Sequence, residues 1–371
     1  MASLPLRVRA HRHRYAVAAL AAVTALLLSG CVAEGDAPAG PTGSAEVPTP
    51  TVVPTPLTAA ERLLAAHPDP ATCALTFAGD SVTAEPALVT SGALYPTLPV
   101  PAAAGRVFAG WYATAAAASA LDRTQRINGA QLATCDNRQR TLHAGWLSDA
   151  AATASRTTVP ILMYHQFTTK PGGEHNPLRG NYTYIGDFEK QLAYLADGGF
   201  YLPTWDELSA FIDGTLWLPE RSVIITDDDA DKTWYELAVP VVTKYRLLTT
   251  SFAITRWTSP PSPSPWVILR SHTHDMHEAG ANGKGKMVNL TEAQIAADMT
   301  ESARILGVAE VMAYPFGHYN ATAEAGLRDA GFILARTTKA GRVRVGTPKL
   351  ELPCVRIDYG MSMAAFARAV D

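Results

Sequence analysis

The chain has 371 residues, 47% of them hydrophobic, and a formal net charge of −3. That length exceeds one ordinary domain and falls short of three large ones. With no basic block beyond the N-terminus, the charge argues against nucleic acid as the main partner.

The first stretch, residues 1–31, reads as a targeting segment. Arg7, Arg9, Arg12 and Arg14 precede an apolar run, Ala16 to Leu28, too short for a comfortable membrane span. Leu28-Ser29-Gly30-Cys31 resembles a bacterial lipobox. That resemblance implies cleavage before Cys31, a lipid on its thiol, and a protein held at the extracellular face of the bacterial cell membrane. An ordinary secretory signal with a chance cysteine is the other reading, and it also predicts export. Residues 32–57, rich in Pro, Thr and Ala, cannot bury a core and read as an extended tether. Cys73 and Cys135 bracket one compact segment of an exported chain, which favours a disulfide over two buried thiols; Cys354 is then left single.

Residues 58–150 read as a small β-rich module. Thr58-Ala59-Ala60-Glu61 is a capping box opening a helix to about His67. β-type runs follow at Cys73–Phe77, Arg106–Tyr112 and Thr141–Trp146, and Ala113–Ala120 reads as an altered loop. Phe108-Ala109-Gly110-Trp111-Tyr112 and Leu142-His143-Ala144-Gly145-Trp146 resemble the ends of a Listeria–Bacteroides repeat. This implies a β-grasp-like spacer or adhesion module, with Trp111 and Trp146 in its core.

From residue 151 onward the pattern alternates. Val159–His165, Val223–Thr226, Thr250–Ile254, Val311–Tyr314 and Phe332–Ala335 read as strands. Ile185–Gly198, Trp205–Asp213, Val239–Tyr245, Thr291–Leu306 and Ala321–Ala330 read as helices. This alternation predicts a parallel α/β architecture, most simply a barrel, with active groups at the C-terminal ends of its strands.

Two stretches carry chemistry. Thr226-Asp227-Asp228-Asp229-Ala230-Asp231 offers carboxylates directly after a strand, and Ser271-His272-Thr273-His274-Asp275-Met276-His277 offers three imidazoles. Carboxylate and neutral imidazole together suit zinc, with cobalt and nickel also compatible. The spacing of His272 and His277 does not put both on one face of a straight helix, so a loop must bring them together.

With these motifs in order, residues 159–368 resemble a polysaccharide deacetylase of carbohydrate esterase family 4, nearest the poly-N-acetylglucosamine deacetylase branch. Thr226 to Ala230 stands for the family's first motif, His272-Thr273 with His277 for the second, and Tyr314-Pro315-Phe316-Gly317 for the third; Met163-Tyr164-His165 and Leu352-Pro353 also fit. The resemblance implies a distorted (β/α)7 barrel. It implies Asp229, His272 and His277 as metal ligands, Asp228 as general base and the backbone N–H of Phe316 as oxyanion donor. Tyr314, Pro315 and His318 are expected to contact substrate, and His274 to lie beside the ligand set.

Four departures stand out. Asp227 replaces an aromatic and is expected to raise the pKa of the base. Ala230 replaces a glycine, at about 1 kcal/mol if its φ is positive. The usual arginine before the third motif's proline is absent, so Arg356, with Arg336 second, is expected to orient Asp228. The late histidine that serves many relatives as general acid is missing, and Asp228 is expected to act as both base and acid. The leading expectation is a monomeric, metal-dependent hydrolase removing N-acetyl groups from an extracellular amino-sugar polysaccharide. The alternative is a catalytically weak or inactive surface lipoprotein that binds glycan or cell wall.

Overall fold

The computed structural model describes residues 56–257 and 261–371. The targeting segment with Cys31, and the tether up to residue 55, lie outside the described residues. From Pro56 to Asp371 the chain is one compact unit. Among the described residues no helix is long and apolar enough to cross a membrane.

Helix α1 (Ala59–Ala66) opens on the expected capping box: the Thr58 hydroxyl accepts from the Glu61 amide, and the Glu61 carboxylate accepts from the Thr58 amide. Strands β1 (Thr72–Ala78), β2 (Ala87–Thr90), β3 (Arg106–Tyr112), β4 (Arg126–Ile127) and β5 (Gln139–Ser148) form a sheet in the order β2-β1-β5-β3-β4. Its central pair, β1 and β5, is parallel. The stretch expected as an altered loop contains a helix, α2 (Ala115–Ala120). Thr114 caps it, and the small side chains of Ala117 and Ala118 pack against Tyr112. A disulfide joins Cys73 to Cys135. Trp111 is buried and Trp146 partly buried in the same core. Helix α3 (Asp149–Ser155) leads out of the module.

The remainder is α/β. Strand β6 (Ile161–Tyr164) is followed by a small pair, β7 (Gln166–Thr168) and β8 (Tyr182–Tyr184), and by helices α4 (Ile185–Asp197) and α5 (Trp205–Ile212). Then come β9 (Ile224–Asp229), α6 (Val239–Tyr245), β10 (Thr249–Ala253), β11 (Val267–Ser271), α7 (Glu292–Leu306) and β12 (Val311–Ala313). Helix α8 (Ala321–Asp329), β13 (Leu334–Ala340), β14 (Leu352–Arg356) and α9 (Met363–Val370) complete the chain. Seven of these described strands close into a ring, β10-β11-β12-β13-β14-β6-β9, and every pairing in it is parallel. Both faces of such strands are covered, which is why Val223-Ile224-Ile225 reads as an unbroken apolar run.

The module does not stand apart from the ring. Phe108, Trp111, Leu98 and Leu75 share one hydrophobic core with Ile161, Ile224, Val311, Leu334 and Leu352, the first residues of five ring strands. The backbone of Phe108 pairs with Thr215 and Trp217 beneath the ring. Arg126, fully buried, ion-pairs with Glu207 at 3.3 Å and lies over the Tyr201 ring at 4.5 Å. A Cβ on Gly110 would sit 2.4 Å from the Arg126 Nε, so only glycine fits there. The module therefore closes the N-terminal end of the ring, and the opposite end is left for chemistry.

Candidate metal and catalytic site

Alternation along β9 sends its carboxylates to opposite faces. Asp228 points inward, against Phe252 of β10 and Arg336 of β13. Asp227 points outward and is fully buried; one of its oxygens accepts from the Ser251 hydroxyl at 3.1 Å and the other has no partner. Burial first, and then the Asp228 charge, push the Asp227 carboxyl well above its ordinary range. Burial alone would also raise Asp228, but the Arg336 guanidinium, together with His165 and His272, outweighs it and holds that carboxyl below the usual range. The expectation that Asp227 raises the base's pKa is thus not met: the Asp227 carboxyl is pushed up while that of Asp228 is held down.

The orienting arginine is Arg336. It is completely buried and ion-pairs with Asp228. Arg356 instead lies partly exposed and binds Asp358 and Asn181. Arg336 lies within β13, not at its end, so nothing in the sequence singles it out over Arg356. His165, just after β6, places its Nε2 3.6 Å from the other Asp228 oxygen.

Asp229 ends β9 in the left-handed region, with φ 75, and Ala230 follows at φ 49, so the glycine-to-alanine departure carries the expected strain. This turn aims the Asp229 Oδ1 at two imidazoles: His272 Nε2 lies at 3.4 Å and His277 Nε2 at 3.2 Å. The loop between the two histidines brings them to one point, with ring centres 4.7 Å apart. His272 Nδ1 donates to the Ala313 carbonyl at 2.8 Å, which leaves its Nε2 a bare lone pair. The Asp229 Oδ1 is buried and has no hydrogen-bond partner. An acceptor surrounded by acceptors is costly without a cation between them, and the ligand atoms all lie within 4.8 Å of one another. The donor set of one carboxylate and two imidazoles fits zinc or a similar ion. Gln166 supports the second Asp229 oxygen at 3.3 Å.

His274 is not in this set; its Nδ1 meets the Thr255 hydroxyl at 3.1 Å. The third motif supplies Phe316, which turns through φ 59, is exposed, and places its ring 4.6 Å from that of His277. Tyr314 and Pro315, expected at the substrate surface, are both buried. Tyr314 stacks on Tyr319 at 4.8 Å in an outer core. Of Tyr314, Pro315 and Phe316, only Phe316 is exposed. His318 is half-buried, and its Nδ1 accepts from the Gly285 amide at 2.9 Å, tying down a rim loop.

Residues 217–335 match the family model described as polysaccharide deacetylase, so the chain carries a domain of that enzyme family. YxkH of Bacillus subtilis strain 168, named for the same family, is 27% identical over 228 residues, covering 57% of this chain and 76% of YxkH. The poly-beta-1,6-N-acetyl-D-glucosamine N-deacetylase of Staphylococcus aureus MRSA252 is 32% identical over 124 residues. That match covers 28% of this chain and 42% of the staphylococcal protein, less than half its length. Among solved structures, a Streptococcus pyogenes deacetylase, PplD in complex with acetate, aligns with a TM-score of 0.49 at 22% identity, over 58% of this chain and 99% of that one.

Proposed function

We propose that the protein is a metal-dependent hydrolase that removes N-acetyl groups from an extracellular amino-sugar polysaccharide. The observation that carries this reading is the unpartnered Asp229 Oδ1 facing two imidazole Nε2 atoms, beside a separate carboxylate held ionised by Arg336. Asp229, His272 and His277 would hold a divalent ion, zinc by preference, which supplies Lewis acidity toward an amide oxygen and makes water more acidic. Asp228 takes the proton from the attacking water. The backbone N–H of Phe316, on its exposed turn, donates to the developing oxyanion, and one such donor is worth roughly 10²–10³ in rate. Asp228 then returns the proton to the leaving amine. His318, bound to the rim loop through Nδ1, stays a rim residue. Relatives named as N-deacetylases support the choice of an N-acetyl amino-sugar polymer.

On this reading the ring with its helices is a distorted (β/α)7 barrel, and the module is of the β-grasp-like Listeria–Bacteroides repeat type. A monomer carried to the extracellular face by a lipid on Cys31 completes the proposal. Cys31→Ala should then release the protein from the membrane fraction, and retention there would refute the anchor. For the activity, metal analysis of the purified chain followed by acetate release from N-acetylglucosamine oligomers is decisive. Bound metal with acetate release supports the hydrolase. Oligomer binding without release, on a metal-loaded chain, would leave the glycan-binding alternative.

A further inference from the structure

The loop that delivers both histidines is held in a backbone conformation its own sequence does not favour. Thr273, β-branched and completely buried, sits in the left-handed region at φ 73. Such a residue persists there only where its surroundings over-determine it. The surroundings are visible. The Ser271 hydroxyl accepts from the Thr273 amide at 3.0 Å and bonds Ser302 of α7 at 2.7 Å. The Thr273 hydroxyl accepts from the Met276 amide at 3.1 Å. Immediately after Thr273, two consecutive amides turn to the same side, and both are taken by one carboxylate. Asp298 Oδ1 accepts from His274 N at 2.7 Å and Oδ2 from Asp275 N at 2.8 Å.

We propose that Asp298 is a positioning residue for the metal centre: by gripping the amides between His272 and His277, it sets the separation and aim of the two imidazoles. Asp298 touches neither imidazole through its hydrogen bonds. It lies on the inward side of α7, one turn from the buried Ile295 and Ser302, so the helix acts as a fixed post. His272 is anchored independently at its other nitrogen by the Ala313 carbonyl. Among the described residues His277 has no hydrogen bond to another element like that of His272; its ring packs on Phe316 at 4.6 Å, and its place depends on the path of residues 273–276. Losing the grip lets that segment relax toward an ordinary conformation and swings His277 away from Asp229.

The inference rests on the metal-centre reading above, and the test separates the two. Zinc affinity is measured on the full chain by competition with a chromophoric chelator, together with the melting temperature of metal-free and zinc-loaded protein. Asp298→Ala should weaken zinc binding by about 10–100-fold, the scale of a lost outer support. Asp298→Asn keeps one acceptor and should fall between wild type and Asp298→Ala. Glu301→Gln, on the exposed side of the same helix, should bind zinc as the wild type does. If Asp298→Ala fails to fold, the Asp298→Asn affinity decides alone. Wild-type zinc affinity in the folded variants, with melting lowered equally in metal-free and loaded forms, would overturn the role of Asp298 and leave the metal centre standing. A wild-type chain that takes up no zinc, cobalt or nickel would overturn both.

Discussion

The two ends of the ring both bury charge, and they handle it in opposite ways. At the N-terminal end Arg126 is matched: Glu207 takes one guanidinium nitrogen, Tyr201 lies beneath it, and Tyr201 and Asn128 satisfy the same carboxylate. At the C-terminal end the acceptors of Asp229, His272 and His277 face one another, and four non-glycine residues, Asp229, Ala230, Thr273 and Phe316, sit at positive φ. That end sets a buried cation against an anion, with the guanidinium's Nε and Nη1 left without a hydrogen-bond partner. The other carries strain and unmet acceptors, which persist at functional sites because the surrounding fold over-determines them.

That contrast can be broken at either end. The largest effect is expected for Asp228→Asn: acetate release should fall by roughly 10²–10⁴, the contribution of a general base, while metal content stays unchanged. Metal loss in that variant would mean the two carboxylates do not divide their roles. At the other end, Arg126→Met leaves Glu207 without its cation. Thermal and urea unfolding should show a loss of about 3–5 kcal/mol, with zinc affinity of the folded protein untouched. Arg336→Met sharpens the division between the two ends, because it changes a catalytic property through a buried pair. Without the guanidinium, burial wins and the Asp228 pKa rises, so the acidic limb of the kcat/KM profile should move to higher pH. An unmoved limb would show that Arg336 does not set the base. The smallest effect is expected for His274→Ala, which should change zinc binding by no more than about 0.5 kcal/mol in a chelator competition.

Much of this was legible in the sequence, for identifiable reasons. Helix starts carry local signals: the capping box at Thr58 appears where the residues place it, and Thr291 caps α7, there too with a capping box, completed by Gln294. The start of the buried parallel strand β9, Ile224-Ile225 with Val223 before it, announces itself as an apolar run. Strands β11 and β14 and helix α9 went unmarked, because Val267-Ile268-Leu269 is short and broken by Arg270, and Leu352-Pro353-Cys354 carries a proline. The triad of Asp229, His272 and His277 converges as the motifs suggested. What sequence could not supply was the direction of side chains around a closed ring. Arg336 and Arg356 are equally plain as letters, and only the register of β13 against β12 turns one of them toward Asp228. Likewise Tyr314 and Phe316 are two residues apart, yet the turn between them buries one and exposes the other.

The Cys73–Cys135 bridge closes a sequence separation of 62 residues inside the module, far along the chain from the metal ligands. By loop-closure reasoning a crosslink of that span is worth roughly 4 kcal/mol against the unfolded chain. Because the module and the ring share one core, that increment belongs to the whole unit and not to the module alone. The redox state of two sulfurs is therefore thermodynamically coupled to the heat tolerance of the candidate metal site. Reduction should lower the temperature at which the histidine pair is lost, without altering any atom near it.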